Sequence, residues 1–386
     1  MLRSVSYSFG ILNMDSESQL PVPLINGQWL WIKEGAGSIS LDIDLVGSDY
    51  VCVAHFFPTD ATGPKYQCNF SLPVGKKEYK NVVTPITISH AGFRPRNESD
   101  GPLTTQIDLD LNVERDVIEA RWRSNTGEES SCSLSRSSGH LPSELTGART
   151  EWKEFKEQIE FLDHGRYIFR GQQKPWRLRT TFHRSGRANI PRFMKEDVQT
   201  LHRRISGRTR HHFNLMDGDQ QGAFYNLIQH HGYPTPLLDW TYSPFVAAFF
   251  AYRGVSREQI AASDPNDRVR IYVIDKQACQ RVLPPIVHLV GQCLHFSLLE
   301  FIAVENPRLI PQQSISGVSN IDDIEGYLLS AAALHEERML WAYDLPAAAR
   351  PRVMKDLNMM GINAGSLFPG LDGTCEELRE RMFPNL

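Results

Sequence analysis

Two stretches in the first third of the chain alternate polar and apolar residues without a break, and they constrain the fold most. They are residues 38–45 and 107–113. A period of two gives a strand one wet face and one buried face, which is typical of antiparallel sheets. Apolar runs at 51–57 and 82–88, bounded by Gly, Pro, Asn and Asp, also indicate strands. We therefore predict that residues 1–140 form an all-β antiparallel module, either a barrel or a sandwich.

Two tryptophans of this module have similar surroundings. Gly27 precedes Trp29, and Ala120 precedes Trp122, which a turn sequence at 125–127 follows. This pattern resembles the strands of small lipocalin-like up-and-down barrels. The resemblance implies a module that could enclose a small ligand and so sense a trigger or regulator. A plain β-sandwich that docks a partner is the alternative.

The character of the sequence changes after a stretch rich in Ser, Gly and Thr at 125–150, which we interpret as a linker. From Trp152 onwards apolar residues recur at helical spacing, and helices then alternate with short strands. This alternation predicts an α+β domain over 150–386. Helices are predicted at about 152–162, 192–206, 219–231 and 346–360, and strands at 167–171, 268–274 and 301–304.

Composition excludes several classes of protein. A chain of 386 residues suits two domains. No apolar run reaches about 18 residues, so we predict no membrane contact. The N-terminus lacks the apolar segment and cleavage site of a signal peptide. The six cysteines are scattered without a CxxC pair, which predicts neither a metal site nor a disulfide framework and favours the cytoplasm.

The net charge of −4 conceals a local excess of basic residues. Between Arg166 and Arg210 there are thirteen Lys and Arg residues, against only Glu196 and Asp197. Such a stretch could contact the phosphates of a nucleotide or of nucleic acid. A solvated surface is the alternative.

Polar residues concentrate in residues 229–252, where the pattern predicts a strand that runs into a helix. Ser243 is a suitable N-cap, and Pro244 occupies the first helical position, where its missing N–H costs nothing. A strand end followed by a helix N-terminus favours binding of an anion such as phosphate. The alternative is a strand–turn–helix core in which local N–H groups satisfy a buried Asp239.

Three groups of residues together resemble the FRG domain, which is named for a Phe-Arg-Gly motif. They are the block 229–244, the closing segment 361–373, and an opening made of Phe169-Arg170-Gly171-Gln172, Trp176-Arg177-Leu178 and Phe182-His183-Arg184. The likeness covers about 150–380. It departs from the family after Asn306-Pro307-Arg308, where serines replace the Gly and Phe that often follow.

Two of these features also resemble the ADP-ribosyltransferase core, in which an arginine on an early strand contacts NAD. The sequence Trp240-Thr241-Tyr242-Ser243 is similar to the Ser-Thr-Ser strand end of those enzymes. Their catalytic glutamate has no clear counterpart here; Glu305 and Gln312 are the nearest candidates, and Glu325 and Glu336 are weaker ones. The resemblance implies NAD contacts from Phe169, Arg170, Gly171, Gln172, Trp240 and Tyr242, and chemistry from Arg170, His230, His231, Asp239, Thr241, Ser243 and Gln312.

Two of these positions have competing structural interpretations. His230 or His231 could bind the ribose or act as a general base, because an unperturbed imidazole titrates near neutral pH. The pair could instead cap a helix C-terminus before Gly232. Asp239 is either a catalytic group or a structural acceptor paired with Arg170.

The leading hypothesis is NAD-dependent ADP-ribosyl transfer, as in a bacterial toxin or an anti-phage defence protein. NAD would be the substrate, the acceptor an unknown protein or nucleic acid, and the β module would sense a trigger or position the target. One alternative is an NAD glycohydrolase that uses the same site. The other is a nucleotide- or nucleic-acid-binding module without catalytic activity.

Overall fold

The structure is a computed structural model that describes residues 24–33, 37–58, 65–88, 104–256, 260, 266–286, 289 and 293–383. Nine strands in the described N-terminal residues form one antiparallel sheet, which confirms the predicted all-β module. Their order across the sheet is β5-β7-β8-β9-β1-β2-β3-β4-β6. The strands are β1 (Gly27–Lys33), β2 (Gly37–Val46), β3 (Asp49–Phe57), β4 (Lys65–Pro73), β5 (Glu78–Val83), β6 (Pro85–Ile88), β7 (Ile107–Val113), β8 (Val117–Ser124) and β9 (Glu129–Arg136).

This sheet curls into a nearly closed barrel and does not divide into the two sheets of a sandwich. Its edge strands β5 and β6 are consecutive in the chain, with only Thr84 between them. A single residue can join the two edges only if the edges are neighbours. The side-chain amide of Asn81 also donates across the seam to the carbonyl oxygen of Ser71 at 3.3 Å. Trp29, Ile43 and other apolar side chains are buried inside.

Two predictions for this module were wrong in detail. The supposed linker at 125–150 contains strand β9, whose Cys132 and Leu134 face the barrel core between exposed polar residues. Because those polar residues are mostly serines, the alternation resembled a loop composition. The single strand predicted at 82–88 is two strands, because the chain crosses the seam at Thr84.

The second part of the chain is built on a seven-stranded mixed sheet, in agreement with the predicted α+β class. Its order is β10-β16-β13-β11-β12-β15-β14, and only β10 and β16 are parallel. The strand predicted at 301–304 lies earlier, at 296–299, because Phe296 and Leu298 are the buried residues that pair with β15. The strands are β10 (Ala148–Arg149), β11 (Tyr167–Gln172), β12 (Leu237–Thr241), β13 (Arg268–Asp275), β14 (Phe296–Leu299), β15 (Ser314–Ser319) and β16 (Leu340–Pro346).

Helices cover both faces of this sheet. Phe169 and Val273 pack on one face against α6, whereas Ile168 and Trp240 pack on the other face against α8. Among the described helices, none is both long and apolar enough to cross a membrane. The helices are α1 (Trp152–Ile159), α2 (Thr181–Arg184), α3 (Ile190–Arg192), a π-helical turn (Phe193–Val198), α4 (Gln199–Ile205), α5 (Gly218–His230), α6 (Pro244–Arg253), α7 (Lys276–Val282), α8 (Ile324–Leu334), α9 (Arg350–Met359), α10 (Ala364–Leu367) and α11 (Leu371–Met382), with short 3-10 turns at Ser138–His140 and Ala347–Ala349.

A buried polar interface joins the barrel to the second sheet. The carboxylate of Asp44, on β2, is completely buried and accepts bonds from Arg187 Nε at 2.9 Å and Arg192 Nη1 at 3.0 Å. The backbone N–H groups of Ala188 and Asn189 also donate to it, at 2.9 and 3.1 Å. The barrel therefore holds the segment that follows α2.

Candidate functional site

The second sheet opens between its central strands β11 and β12. Strand β11 pairs with β13 along all six of its residues, but it pairs with β12 only where Phe169 meets Thr241. Beyond that pair the two strands separate, and the guanidinium of Arg170 spans the gap. Its Nη1 donates to the carbonyl oxygen of Asp239 at 2.6 Å. We call this opening the Arg170 cleft.

Each residue of the Phe169-Arg170-Gly171 sequence has a different physical task. Phe169 is buried in the core beneath α6. At Gly171 a Cβ atom would lie 1.8 Å from the carbonyl oxygen of Ala247, so only glycine lets α6 approach β11 this closely. Gln172 is also buried. Arg170 is thus the member whose polar group faces the cleft.

Asp239 provides a carboxylate to the cleft with one oxygen held and one free. Its Oδ1 accepts from Gln229 Nε2 at 2.5 Å. The side-chain oxygen of Gln229, Oε1, accepts in turn from Thr235 Oγ1. No described residue donates a hydrogen bond to Oδ2. The side chain reaches solvent but is surrounded by protein, and this desolvation raises the pKa of Asp239. The charges of Arg170 and Arg184 and the hydrogen bond from Gln229 lower the pKa of Asp239 and so oppose this effect.

Two arginines, Arg170 and Arg184, lie near this carboxylate, and neither forms an ion pair with a described carboxylate. Burial lowers the pKa of Arg170 to about 10, an effect that Asp239 opposes and Arg184 reinforces. The Nε of Arg170 is buried and has no hydrogen-bond partner in the part of the chain that the structure describes. Arg184 ends helix α2 and is exposed; no described side chain pairs with its guanidinium. An anionic ligand would satisfy both groups.

A third arginine and the two histidines lie at the end of α5. Helix α5 ends at His230, and the backbone N–H of its C-cap residue His231 donates to the carbonyl oxygen of Leu227. Capping by the two imidazole side chains stays a prediction. Desolvation, together with the charges of Arg308 and His231, lowers the pKa of His230 to about 4. Arg308 stacks on Phe368 at 5.0 Å and forms no ion pair with a described carboxylate.

His230 is expected to titrate near pH 4 in the folded protein and near its ordinary value of 6.5 in the unfolded chain. Between these values the unfolded chain binds more protons, so this histidine makes the protein less stable as the pH falls through that range. NMR titration of the imidazole resonances, assigned with His230→Gln, measures the midpoint. A midpoint near 6.5 for His230 would contradict the burial of this ring.

Three further candidates lie at or next to the turn from β12 into α6. Thr241 Oγ1 donates to the carbonyl oxygen of Gln312 at 2.7 Å and accepts from the backbone N–H of Ser243 at 3.0 Å. Ser243 caps α6 by accepting from Val246 N at 3.3 Å, as predicted. The side chain of Gln312 donates to the carbonyl oxygen of Leu367 at 3.0 Å. The catalytic roles of Thr241, Ser243 and Gln312 stay predictions.

The aromatic neighbours in this strand differ in their surroundings. The Trp240 ring is 2% exposed and packs in the core beneath the sheet. Tyr242 is half-buried; its hydroxyl accepts from Lys276 Nζ at 2.7 Å and donates to Glu300. A contact of either ring with NAD stays a prediction.

Two of the three glutamates considered as catalytic candidates bind groups of the protein itself. Glu325 is fully buried, and its carboxylate accepts from Ser143 Oγ at 2.9 Å and from Tyr272 Oη at 3.0 Å. Glu305 accepts the backbone N–H groups of Arg210 and His211 at 2.7 and 2.9 Å. Glu336 is exposed after the end of α8. These contacts stabilise local structure.

The Phe-Arg-Gly sequence and the residues that surround the Arg170 cleft lie in one continuous part of the chain. Residues 165–259 match the FRG domain. The FRG match contains Arg170, Arg184, Gln229 and Asp239, and it ends before Arg308. No curated protein and no solved structure matches the chain.

Sequence reasoning missed Arg184, Gln229 and Arg308 as site residues, although all three lie within or beside the motifs that resemble the FRG domain. Their residue types did not indicate a binding role, because an arginine at a helix end or a glutamine before two histidines is usually a surface residue. The missing information was spatial: the relevant carboxylate, Asp239, lies 55 positions after Arg184 in the sequence.

Proposed function

We propose that the Arg170 cleft binds NAD and transfers its ADP-ribosyl group to an acceptor. The observation that supports this function is the open gap between β11 and β12, where a buried, incompletely bonded guanidinium faces a carboxylate with a free oxygen. The cleft therefore offers a positive group, Arg170, and a negative group, Asp239. NAD can use both groups, because its diphosphate is anionic and its nicotinamide ribose becomes cationic as the glycosidic bond breaks.

The arginines are suited to the diphosphate. The bond from Arg170 Nη1 to the Asp239 carbonyl fixes the guanidinium plane, so its other N–H groups need no rearrangement to meet phosphate oxygens. Arg184 adds a second positive charge at the same cleft. Lysine would supply charge at these positions but not the planar pair of donors.

The carboxylate is suited to the ribose. In the transfer, the bond between C1′ and the nicotinamide nitrogen breaks, and nicotinamide leaves with the electron pair. The free Oδ2 of Asp239 would stabilise the ribosyl cation until an acceptor oxygen or nitrogen bonds to C1′ and loses its proton. Gln229 holds Oδ1 and so fixes the direction of the carboxylate. With water as acceptor the same site would be a glycohydrolase.

Arg170→Ala is expected to lower nicotinamide release from NAD by at least about 100-fold, because removing one partner of a buried, hydrogen-bonded charge pair with the diphosphate costs about 2–5 kcal/mol. Arg170→Lys should lose most of the activity too, because charge without the planar fork does not bind two oxygens. Release of nicotinamide by the purified full chain, with cell lysate as a source of acceptors, is followed by mass spectrometry.

Arg352→Ala is the matched control, because this arginine is exposed on α9. The control should keep wild-type activity, and circular dichroism should show that all variants are folded. Wild-type protein that releases no nicotinamide, even with lysate, would refute the proposal. A folded Arg170→Ala variant with full activity would refute the role of the cleft. A toxin or phage-defence setting, and a sensing or positioning role for the barrel, stay predictions.

A further inference from the structure

The structure divides the basic stretch 166–210 into two groups of arginines. Five of its arginines form ion pairs within the protein and are not available to a ligand. The remaining cations near the end of the stretch are exposed and have no carboxylate partner among the described residues. The paired ones are Arg166 with Asp275, Arg177 with Asp323, Arg179 with Asp322, and Arg187 and Arg192 with Asp44.

Four of the arginines without a carboxylate partner are exposed on α4 and in the loop after it, and we call them the α4 patch. Its members are Arg203, Arg204, Arg208 and Arg210. From Gln199 to His212 the sequence contains no Asp or Glu, although the whole chain has an acidic excess of four. A local excess of this kind favours a positive potential near the α4 patch.

Two contacts fix the shape of the α4 patch. His202 on α4 bonds to the carbonyl oxygen of Phe213 at 2.7 Å, which holds the loop against the helix. The carboxylate of Glu305 accepts the N–H groups of Arg210 and His211 and so holds the other side of the loop.

We propose that the α4 patch binds single-stranded nucleic acid. Guanidinium groups on a fixed surface suit a chain of phosphates, because each can donate two hydrogen bonds to one phosphate. A membrane surface fits less well. The apolar residues of α4, Leu201 and Ile205, pack inward against the protein core, whereas a membrane-binding helix would direct its apolar side chains outward. This inference does not depend on the NAD proposal.

The test is fluorescence anisotropy with the full chain and a fluorescein-labelled single strand of mixed sequence, about 20 nucleotides long to cover more than one contact site. Both DNA and RNA strands are used. Wild-type affinity should fall with salt at a slope of log K against log salt of about −3, as four phosphate contacts on a single strand require. The variant with all four patch arginines changed to Ala should bind at least about tenfold more weakly, with a shallower slope.

The matched control changes four exposed lysines outside the patch, Lys76, Lys77, Lys80 and Lys355, to Ala and so lowers the net charge equally. This control should bind as wild type does. Unchanged binding by the patch variant, or an equal loss in the lysine control, would overturn the proposal. Wild-type protein that binds vesicles containing phosphatidylserine but not the oligonucleotides would also overturn it.

Discussion

Gly171→Ala is expected to lower the free energy of unfolding of the second part of the chain by more than about 3 kcal/mol, or to prevent its folding. The added methyl group would lie 1.8 Å from the carbonyl oxygen of Ala247 and 2.7 Å from the backbone N of Ala251. Both neighbours are backbone atoms within α6, so neither can rotate away as a side chain would. Helix α6 would have to move off β11, which would also separate the core that surrounds Phe169.

Urea unfolding followed by tryptophan fluorescence measures this effect. Gly207→Ala is the matched control, because a Cβ at Gly207 meets no atom within 4 Å and the residue has no left-handed backbone. The control should change the stability by less than about 1 kcal/mol, in either direction. A Gly171→Ala protein that unfolds at the wild-type urea concentration would show that α6 does not pack as closely as described.

Asp44→Ala is expected to destabilise the protein by about 3–5 kcal/mol, since it leaves two arginines at the interface without their buried partner. The carboxylate is completely buried and receives four hydrogen bonds from the segment that follows α2. We also expect the barrel to lose its attachment at this point, so that a single unfolding transition divides into two. Calorimetry of the full chain measures both effects.

Asp49→Ala is the control for this experiment. Asp49 lies at the start of the neighbouring strand β3, but it is exposed and accepts only from Ser48 among the described side chains. Its replacement should change the stability by less than about 0.5 kcal/mol. The loss of stability in Asp44→Asn should lie between the losses in Asp44→Ala and Asp49→Ala. The amide oxygen can still accept hydrogen bonds from the backbone N–H groups, but the charge is lost. Equal stabilities of Asp44→Ala and Asp49→Ala would contradict the proposed interface.

The local features of the fold could be predicted from short stretches of sequence. Alternation in 38–45 and 107–113 is a property of successive residues, so it located two strands. It also located the buried face of β7, but the wet face predicted for β2 was wrong: Ser40, Asp42 and Asp44 are buried, and Asp44 bonds to the segment that follows α2. The start of α6 was equally local, because Ser243 and Pro244 act on the helix turn next to them. Where composition disagreed with alternation, as in the serine-rich strand β9, alternation was the better guide.

The closure of the barrel and the opening of the second sheet could not be predicted in this way. Closure depends on the crossing at Thr84, which has meaning only when the partners of β5 and β6 are known. The gap at Arg170 depends on two strands that pair at one point and then separate, although about 65 residues lie between them. Neither the closure of the barrel nor this gap can be recognised in the sequence of a single short segment.

The basic stretch shows this division most clearly. The sequence by itself determined that thirteen cations lie between Arg166 and Arg210, and that Arg170 belongs to a recognisable motif. Only the tertiary structure decided which of them a ligand can reach. Arg187 is neutralised by Asp44, which lies far earlier in the chain, and Arg177 by Asp323, which lies far later. The charge that an arginine offers to a ligand depends on the carboxylates within a few ångströms, and folding, not sequence position, determines which carboxylates those are.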